Sequence, residues 1–287
     1  MRKRLLRLSA VCILLPCLAG TYVFLDRWQR ATIFSVELGE SRWWREPPQG
    51  TEVFYIEQNN GDRLQAWYLP AADTSAPTIL YLHGSRWNLN SSVFRIERWS
   101  AMGYGILAID YRGFGASTPR LPSQASAVDD ASAALHELAR REPRAERRFV
   151  YGHSLGGAIA VAMAARPALP EFNGLIIEST FTRIQDMIQH SNWSRIPGLS
   201  LLITQPFDTL SAISGIQNPL LILHGTNDRI VPLAMSEALF QASAASGSPL
   251  RKLVQIDGGS HSNSSAHQEY RSAVQQFIKK AGTTGKP

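Results

Sequence analysis

The sequence predicts an α/β fold, a mostly parallel central sheet covered by helices on both faces, with a short cap segment. Three observations carry that expectation. From Thr78 onward, apolar runs of strand length alternate with longer helical runs, the pattern that builds a parallel sheet through crossover helices. Phe149 to Tyr151 and Pro219 to Gly225 are apolar runs of the kind found in strands covered on both faces, and Thr78 to Gly84 and Leu253 to Ile256 read as further strands. Gly152-His-Ser-Leu-Gly156 joins one of these strands to a helix of small residues.

The N-terminus opens on the basic stretch Met1-Arg-Lys-Arg-Leu-Leu-Arg7, followed by a charge-free run from Leu8 to Leu25, close to the length that spans a bilayer. This pairing reads as a secretory signal or a membrane anchor. Pro16 followed by Cys17-Leu-Ala19 offers a cleavage site. The apolar run continues through Tyr22-Val-Phe-Leu25 to the interfacial residue Trp28, which favours a retained anchor. Pro16 and Val11 suit neither Cys17 nor Cys12 as a lipidation site. An anchor of this polarity leaves the basic end cytoplasmic and the rest of the chain periplasmic, extracellular or lumenal; a cleaved signal leaves it secreted. Residues 1–30 are expected to form this segment, 31–50 a juxtamembrane linker, 51–281 the folded catalytic domain with a cap at 180–218, and 282–287 a frayed tail.

Val53 to Glu57 and Leu64 to Leu69 alternate well enough for an antiparallel hairpin across the turn signal Asn59-Asn-Gly-Asp62. Ser123 to Arg141 is expected to be helical, with Ala-rich and Leu faces. Leu155 to Ala165 is apolar on every face, as a buried helix is, and Pro167 ends it. Pro232 to Ala245 and Ser264 to Lys280 complete the helices, the last carrying Tyr270, Val274, Phe277 and Ile278 near helical spacing.

The chemistry centres on Ser154. A sharp strand-to-helix turn holds a serine hydroxyl up for attack, and glycines two residues to either side remove Cβ atoms that would collide there. The helix that follows aims free N–H groups and the positive end of its dipole at that position. A serine hydroxyl needs a base, and the base needs an orienting acid. Asp228 lies just past the strand Pro219 to Gly225, and His261 lies on the loop after Leu253 to Ile256, so all three groups gather beyond strand ends in the order Ser, Asp, His. Rivals are weaker. Asp257 shares the histidine's own loop and Asp110 precedes the serine. His153 points elsewhere on the elbow, His83 and His224 suit backbone hydrogen bonds in their His-Gly pairs, and His267 falls in an expected helix. Two N–H donors are needed for a tetrahedral oxyanion. Leu155 supplies one, and Ser85, with Gly84 or Arg86 as alternatives, supplies the other. A serine nucleophile argues against dehalogenase or epoxide hydrolase chemistry, which on this kind of scaffold uses a carboxylate.

Tyr81-Leu-His-Gly84, Ala108-Ile-Asp-Tyr-Arg-Gly-Phe-Gly-Ala-Ser117, Gly152-His-Ser-Leu-Gly-Gly157, His224-Gly-Thr-Asn-Asp-Arg-Ile-Val-Pro232 and Gly258-Gly-Ser-His261 resemble the α/β-hydrolase superfamily over about Thr51 to Lys280. Ser179-Thr-Phe-Thr-Arg-Ile-Gln-Asp-Met187 through Phe207-Asp-Thr-Leu210 is similar to its membrane-associated branch, which includes depalmitoylating enzymes and lysophospholipid lipases with a serine aminopeptidase-like domain. Those relatives usually carry Asn after the first His-Gly, whereas this chain has Ser85-Arg86-Trp87, a departure that bears on the oxyanion loop and the acyl pocket. The resemblance implies a serine hydrolase acting on acyl esters or thioesters, and the short cap implies an open acyl cleft. Ile188, Trp193, Ile196, Leu199, Leu201, Leu202, Ile203 and Phe207 are expected either to line an acyl channel or to pack the cap onto the core.

At 287 residues, 44% hydrophobic and 18% charged, the chain has material for one domain. Its formal net charge of +6 does not point to nucleic acid, because four of the 29 Lys and Arg lie in the first seven residues and the only other dense cluster, Arg140, Arg141, Arg144, Arg147 and Arg148, falls at the sheet edge away from the strand ends that carry the site, as a solvated face or, alternatively, an anionic lipid contact. Both cysteines, Cys12 and Cys17, fall in the N-terminal segment, so no disulfide, thiolate nucleophile or cysteine metal site is expected in the domain, and no cofactor is implied. The expected partners are a small-molecule or lipid acyl ester and, through the N-terminal segment, a membrane. A peptidase or amidase on the same residues and a non-catalytic membrane scaffold are the alternatives.

Overall fold

A computed structural model describes residues 2–37 and 39–284 of the chain, with side chains described for 15–37 and 39–282. Its centre is an eight-stranded sheet. In chain order the strands are β1 (Glu52–Glu57), β2 (Arg63–Leu69), β3 (Thr78–Leu82), β4 (Gly105–Ile109), β5 (Arg148–His153), β6 (Gly174–Glu178), β7 (Leu220–Gly225) and β8 (Arg251–Ile256). They lie side by side as β1-β2-β4-β3-β5-β6-β7-β8. β1 and β2 form the expected antiparallel hairpin, Glu57 facing Arg63 across the turn, and β2 meets β4 antiparallel. Every pairing from β4 to β8 is parallel, so the loops after β3, β5, β7 and β8 emerge on one edge.

Strand periodicity divides the core. Leu80, Leu82, Val150, Leu175, Ile177 and Ile222 face one layer, where helices α3 (Gln124–Arg141), α4 (Leu155–Ala164) and α7 (Leu233–Ala242) pack with the short α5 (Ile184–Gln189) and α6 (Thr209–Ile213). Their neighbours Ile79, Tyr81, Tyr151, Ile176 and Leu221 face the other, covered by α2 (Leu89–Ser100) and α8 (Gln268–Thr284). Ser123 caps α3 as a capping box with Ser126, so the helix proper begins one residue later than expected. Past Ala242 the α7 segment tightens into a 3-10 turn over Ser243–Ala245. Ser264–Ala266 is a separate 3-10 turn, which leaves His267 ahead of α8 rather than inside it. Helix α2 has no counterpart among the expected elements; Asn88 caps it by accepting from Ser91 N–H. The expected tail is shorter than drawn, since α8 runs through Thr284, and 285–287 lie outside the described residues.

The N-terminal part differs most from expectation. Helix α1 (Arg2–Phe34) continues past residue 30, and Phe34, fully buried, packs against Phe114 and Phe207 in the main core. Gln29 bonds the Leu202 carbonyl and Thr204 N–H, Arg30 bonds the Pro122 and Leu121 carbonyls, and Asp26 accepts from Gln205. Residues 31–34, the start of the expected juxtamembrane linker, therefore lie inside a helix anchored on the domain. The side chains of residues 1–14 lie outside the described residues, and with them the basic stretch, Cys12 and the first part of the charge-free run. Among the described residues, no helix is long and apolar enough to cross a membrane.

The basic group before β5 is largely paired. Arg140 and Arg141 bond Glu137, Arg141 also bonds Glu52, and Arg144 bonds Glu142, while Arg148 is buried.

Candidate active site

The β5–α4 turn places Ser154 at φ 53° and ψ −119°, a conformation costly for a residue with a Cβ, held by the donation of its N–H to the Glu178 carbonyl at 2.8 Å. The flanking glycines are required by contact. A Cβ at Gly152 would overlap the Gly156 carbonyl, one at Gly156 would overlap the Leu82 and His83 carbonyls, and one at Gly157 would strike Thr180 Oγ1. Gly156→Ala is expected to destabilise the fold by about 3 kcal/mol or more, since backbone rather than a mobile side chain has to yield; a denaturant midpoint equal to that of the parent would contradict this.

Asp228 and His261 leave the ends of β7 and β8. Asp228 Oδ1 accepts the N–H groups of Ile230 and Val231, each at 2.9 Å, and Oδ2 lies 2.9 Å from His261 Nδ1. Burial, the largest single influence, raises the Asp228 carboxyl, but the hydrogen bond and charge of His261 and the two backbone donors together outweigh it and hold the group below the usual carboxylate range. An ionised carboxylate only accepts, so the His261 proton resides on Nδ1 and Nε2 is left as the basic nitrogen. Ser154 and His261 line one cavity of about 240 Å³ together with Ser85, Arg86, Trp87, Arg95 and Ile230. Among the described residues, the N–H groups of Leu155 and Ser85 have no hydrogen-bond partner, whereas Arg86 N–H donates to the Phe34 carbonyl at 2.8 Å. That commitment withdraws Arg86 from the alternatives for the second donor.

The rival residues have structural partners. His153 Nε2 lies 2.8 Å from the His261 carbonyl, so it braces the loop of the histidine. His83 Nδ1 bonds the Gly84 carbonyl at 2.7 Å, and its Nε2 faces Asp110 at 3.3 Å. His224 sits between Ser236 Oγ at 2.6 Å and the Val231 carbonyl at 3.0 Å. Asp110 accepts Leu89 N–H, and the exposed Asp257 lies 3.4 Å from Thr226 Oγ1.

Burial, then the Arg95 charge, holds the His153 imidazole well below its usual range, and burial lowers His224 as well. At these two histidines the unfolded chain therefore binds more protons than the folded one once the pH falls below about 6.5. Stability is expected to decline as the pH drops through that value and onward to the lower folded-state pKa values. Melting temperature against pH measures it, and His153→Gln should flatten the slope; an unchanged slope in that variant would remove His153 as its source.

Two residues beneath the site carried no signal in the sequence. Arg95, 2% exposed, bonds the Ser262 carbonyl at 3.2 Å, next to His261, and faces Glu178 at 3.6 Å. Glu178 also accepts from the hydroxyls of Tyr151 and Tyr270. The His261 loop is thus held by His153 through the His261 carbonyl and by Arg95 through the Ser262 carbonyl.

The apolar cap residues separate into three groups. Ile188, Trp193, Leu199 and Ile203 line a cavity of about 60 Å³ with Trp28 and Ile33 of α1, far below the roughly 300 Å³ of a small ligand pocket. Phe207 is buried against Phe34 and Phe181. Ile196, Leu201 and Leu202 are exposed, Leu201 by 83%.

The family described as serine aminopeptidase, S33 matches residues 74–212. The alpha/beta hydrolase domain-containing protein WAV2 of Arabidopsis thaliana is 31% identical over 80% of this chain and 79% of its own length. The lysophosphatidylserine lipase ABHD12 of Xenopus tropicalis is 31% identical over 62% of this chain and 50% of its own. Among solved structures, the esterase Pf2001 of Pyrococcus furiosus superposes with a TM-score of 0.65 at 20% identity, covering 84% of this chain and 99% of that one, a likeness in fold.

Proposed function

Because the chain belongs to the α/β-hydrolase superfamily, we propose that it is a membrane-anchored serine hydrolase that cleaves acyl esters or thioesters through an acyl-enzyme intermediate. The observation that carries this reading is the hydrogen-bonded Asp228–His261 pair opening on the cavity that holds the strained Ser154. In the proposed cycle, Ser154 Oγ attacks the acyl carbonyl while His261 Nε2 takes its proton. Asp228 keeps the imidazole in the productive tautomer and stabilises its positive charge. The N–H groups of Leu155 and Ser85 receive the oxyanion. His261 then protonates the departing alcohol or thiol, and water, activated by the same nitrogen, releases the acid.

Two features favour an ester over a peptide. The residues lining the cavity include Arg86 and Arg95 and no carboxylate that would hold a peptide ammonium. A lipase stands among the similar proteins. Membrane attachment is supported by the second half of the charge-free run, where Leu15, Leu18, Tyr22, Val23 and Phe24 of α1 are exposed, Phe24 by 72%. With the basic end cytoplasmic, the domain would lie on the opposite side of that membrane.

The deciding experiment is hydrolysis of a p-nitrophenyl ester series from acetate to palmitate by the full-length protein, with Ser154→Ala beside it. Serine-dependent turnover with a chain-length optimum supports the proposal. Aminoacyl-amide turnover exceeding ester turnover would replace it with an amidase, and a folded protein inert to esters, thioesters and a serine-reactive fluorophosphonate would replace it with a scaffold.

A further inference from the structure

The segment between α1 and β1 lies along the loop that carries Ser85. Arg86 donates its N–H to the Phe34 carbonyl at 2.8 Å and receives Glu37 N–H on its own carbonyl at 3.1 Å, so both of its backbone polar groups are held by this segment. Farther along, Ser41 Oγ lies 2.8 Å from Ser91 Oγ, and the rings of Trp43 and Trp87 pack with centroids 6.5 Å apart. Arg45 and Asn90 exchange two hydrogen bonds, Arg45 N–H to the Asn90 carbonyl at 3.1 Å and Asn90 Nδ2–H to the Arg45 carbonyl at 2.9 Å. The contacts run from the residue after Ser85 into the first turn of α2.

The loop has reason to need such a support. Arg86 sits at φ +74°, a left-handed conformation uncommon for a residue with a Cβ, and Ser35 at φ +48° turns the chain out of α1 toward it. The far end is fixed, because Phe34, whose carbonyl receives the Arg86 N–H, is locked in the core between Phe114 and Phe207. Ser85 and Trp87 flank the residue that is clamped on both sides, so the orientation of the Ser85 peptide is coupled to Phe34 and Glu37.

We infer that residues 34–37 and 39–45 form a strap that positions the oxyanion loop, so that the N-terminal segment sets the rate of acyl transfer as well as the location of the protein. The inference rests on the reading of Ser85 as an oxyanion donor. None of the described strap residues lines the cavity of Ser154 and His261; they act through the loop. Oxyanion donors work because they are aimed before the reaction begins, and a small misplacement is felt in the transition state more than in substrate binding.

The test uses the full-length protein in detergent with p-nitrophenyl butyrate. Glu37→Pro deletes the N–H that holds the Arg86 carbonyl, whereas Glu37→Ala keeps it. Glu37→Pro is expected to lower kcat by about 10- to 100-fold with KM within about threefold, and to weaken a trifluoromethyl ketone, which mimics the tetrahedral intermediate, in parallel. Glu37→Ala should stay within about twofold of the parent, since the bond is made by the backbone. A folded Glu37→Pro protein whose kcat falls by less than about fivefold overturns the inference. If melting shows that Glu37→Pro does not fold, the double variant Ser41→Ala, Trp43→Ala, which removes side chains only, is judged by the same threshold. An unchanged Glu37→Pro beside an inactive Ser154→Ala rejects the strap alone; an active Ser154→Ala rejects the hydrolase reading beneath it.

Discussion

Replacing Ser154 with Ala is expected to lower ester hydrolysis by about 10⁴- to 10⁶-fold while leaving the melting temperature close to that of the parent. The substitution removes one oxygen. It keeps the Cβ, so the turn at φ 53° stays as strained as before, and its N–H still donates to the Glu178 carbonyl. Ser154 makes no side-chain hydrogen bond that caps α4, so no helix terminus loses a partner. The loss would therefore be chemical. His261 and the free N–H groups would remain but would have only water to activate, which sets the residual rate. Initial rates across the ester series measure it, and a variant retaining more than about a tenth of parental turnover would show that another group performs the attack.

Asp228→Asn is expected to cost about 10⁴-fold in kcat with little change in KM or in stability, because the two oxygens of this carboxylate have separate duties. Oδ1 holds the loop through Ile230 and Val231, and Oδ2 faces His261 Nδ1. Asn presents a carbonyl oxygen that can keep the loop bonds and an NH₂ that faces the imidazole. The NH₂ can only donate, so Nδ1 must become the acceptor and the proton moves to Nε2, the nitrogen that has to take the serine proton. The ring stays in place with the wrong tautomer. A kcat within about tenfold of the parent would mean that Asp228 serves the loop and not the chemistry.

The candidate residues could be named from the chain because their signals are local. The small-residue turn around Ser154 is written in adjacent positions, and the backbone overlaps that a Cβ would cause at Gly152 and Gly156 explain why glycine stands there. Asp228 and His261 could be placed because a continuous apolar run marks β7 and the short Leu253 to Ile256 stretch marks β8, and parallel strands deliver their following loops to one edge. His224 and His83 were separable from His261 for a similar reason, since each sits beside its own strand end where backbone partners are close. Helix α2 was harder: it buries Arg95, Ser91 and Ser92 among its apolar residues, so a charged position reads as solvent-facing when it faces the core. The Arg95–Glu178 pair joins a helix to a strand end far along the chain, and no spacing rule connects them.

The N-terminal region marks the boundary between the two kinds of information. The sequence by itself determined the alternating strands and helices, the order of Ser154, Asp228 and His261, and the charge-free run after a basic start, because each follows from periodicity, turn chemistry or charge within a short stretch. Only the tertiary structure decided that 34–37 and 39–45 lie along the Ser85 loop, that Arg86 N–H is committed to Phe34, and that His153 and Arg95 hold the His261 loop. The strap is held largely by backbone groups, and every residue except proline carries the same N–H and C=O, so those bonds leave no mark on residue identity. Where such groups meet is settled by the path of the whole chain.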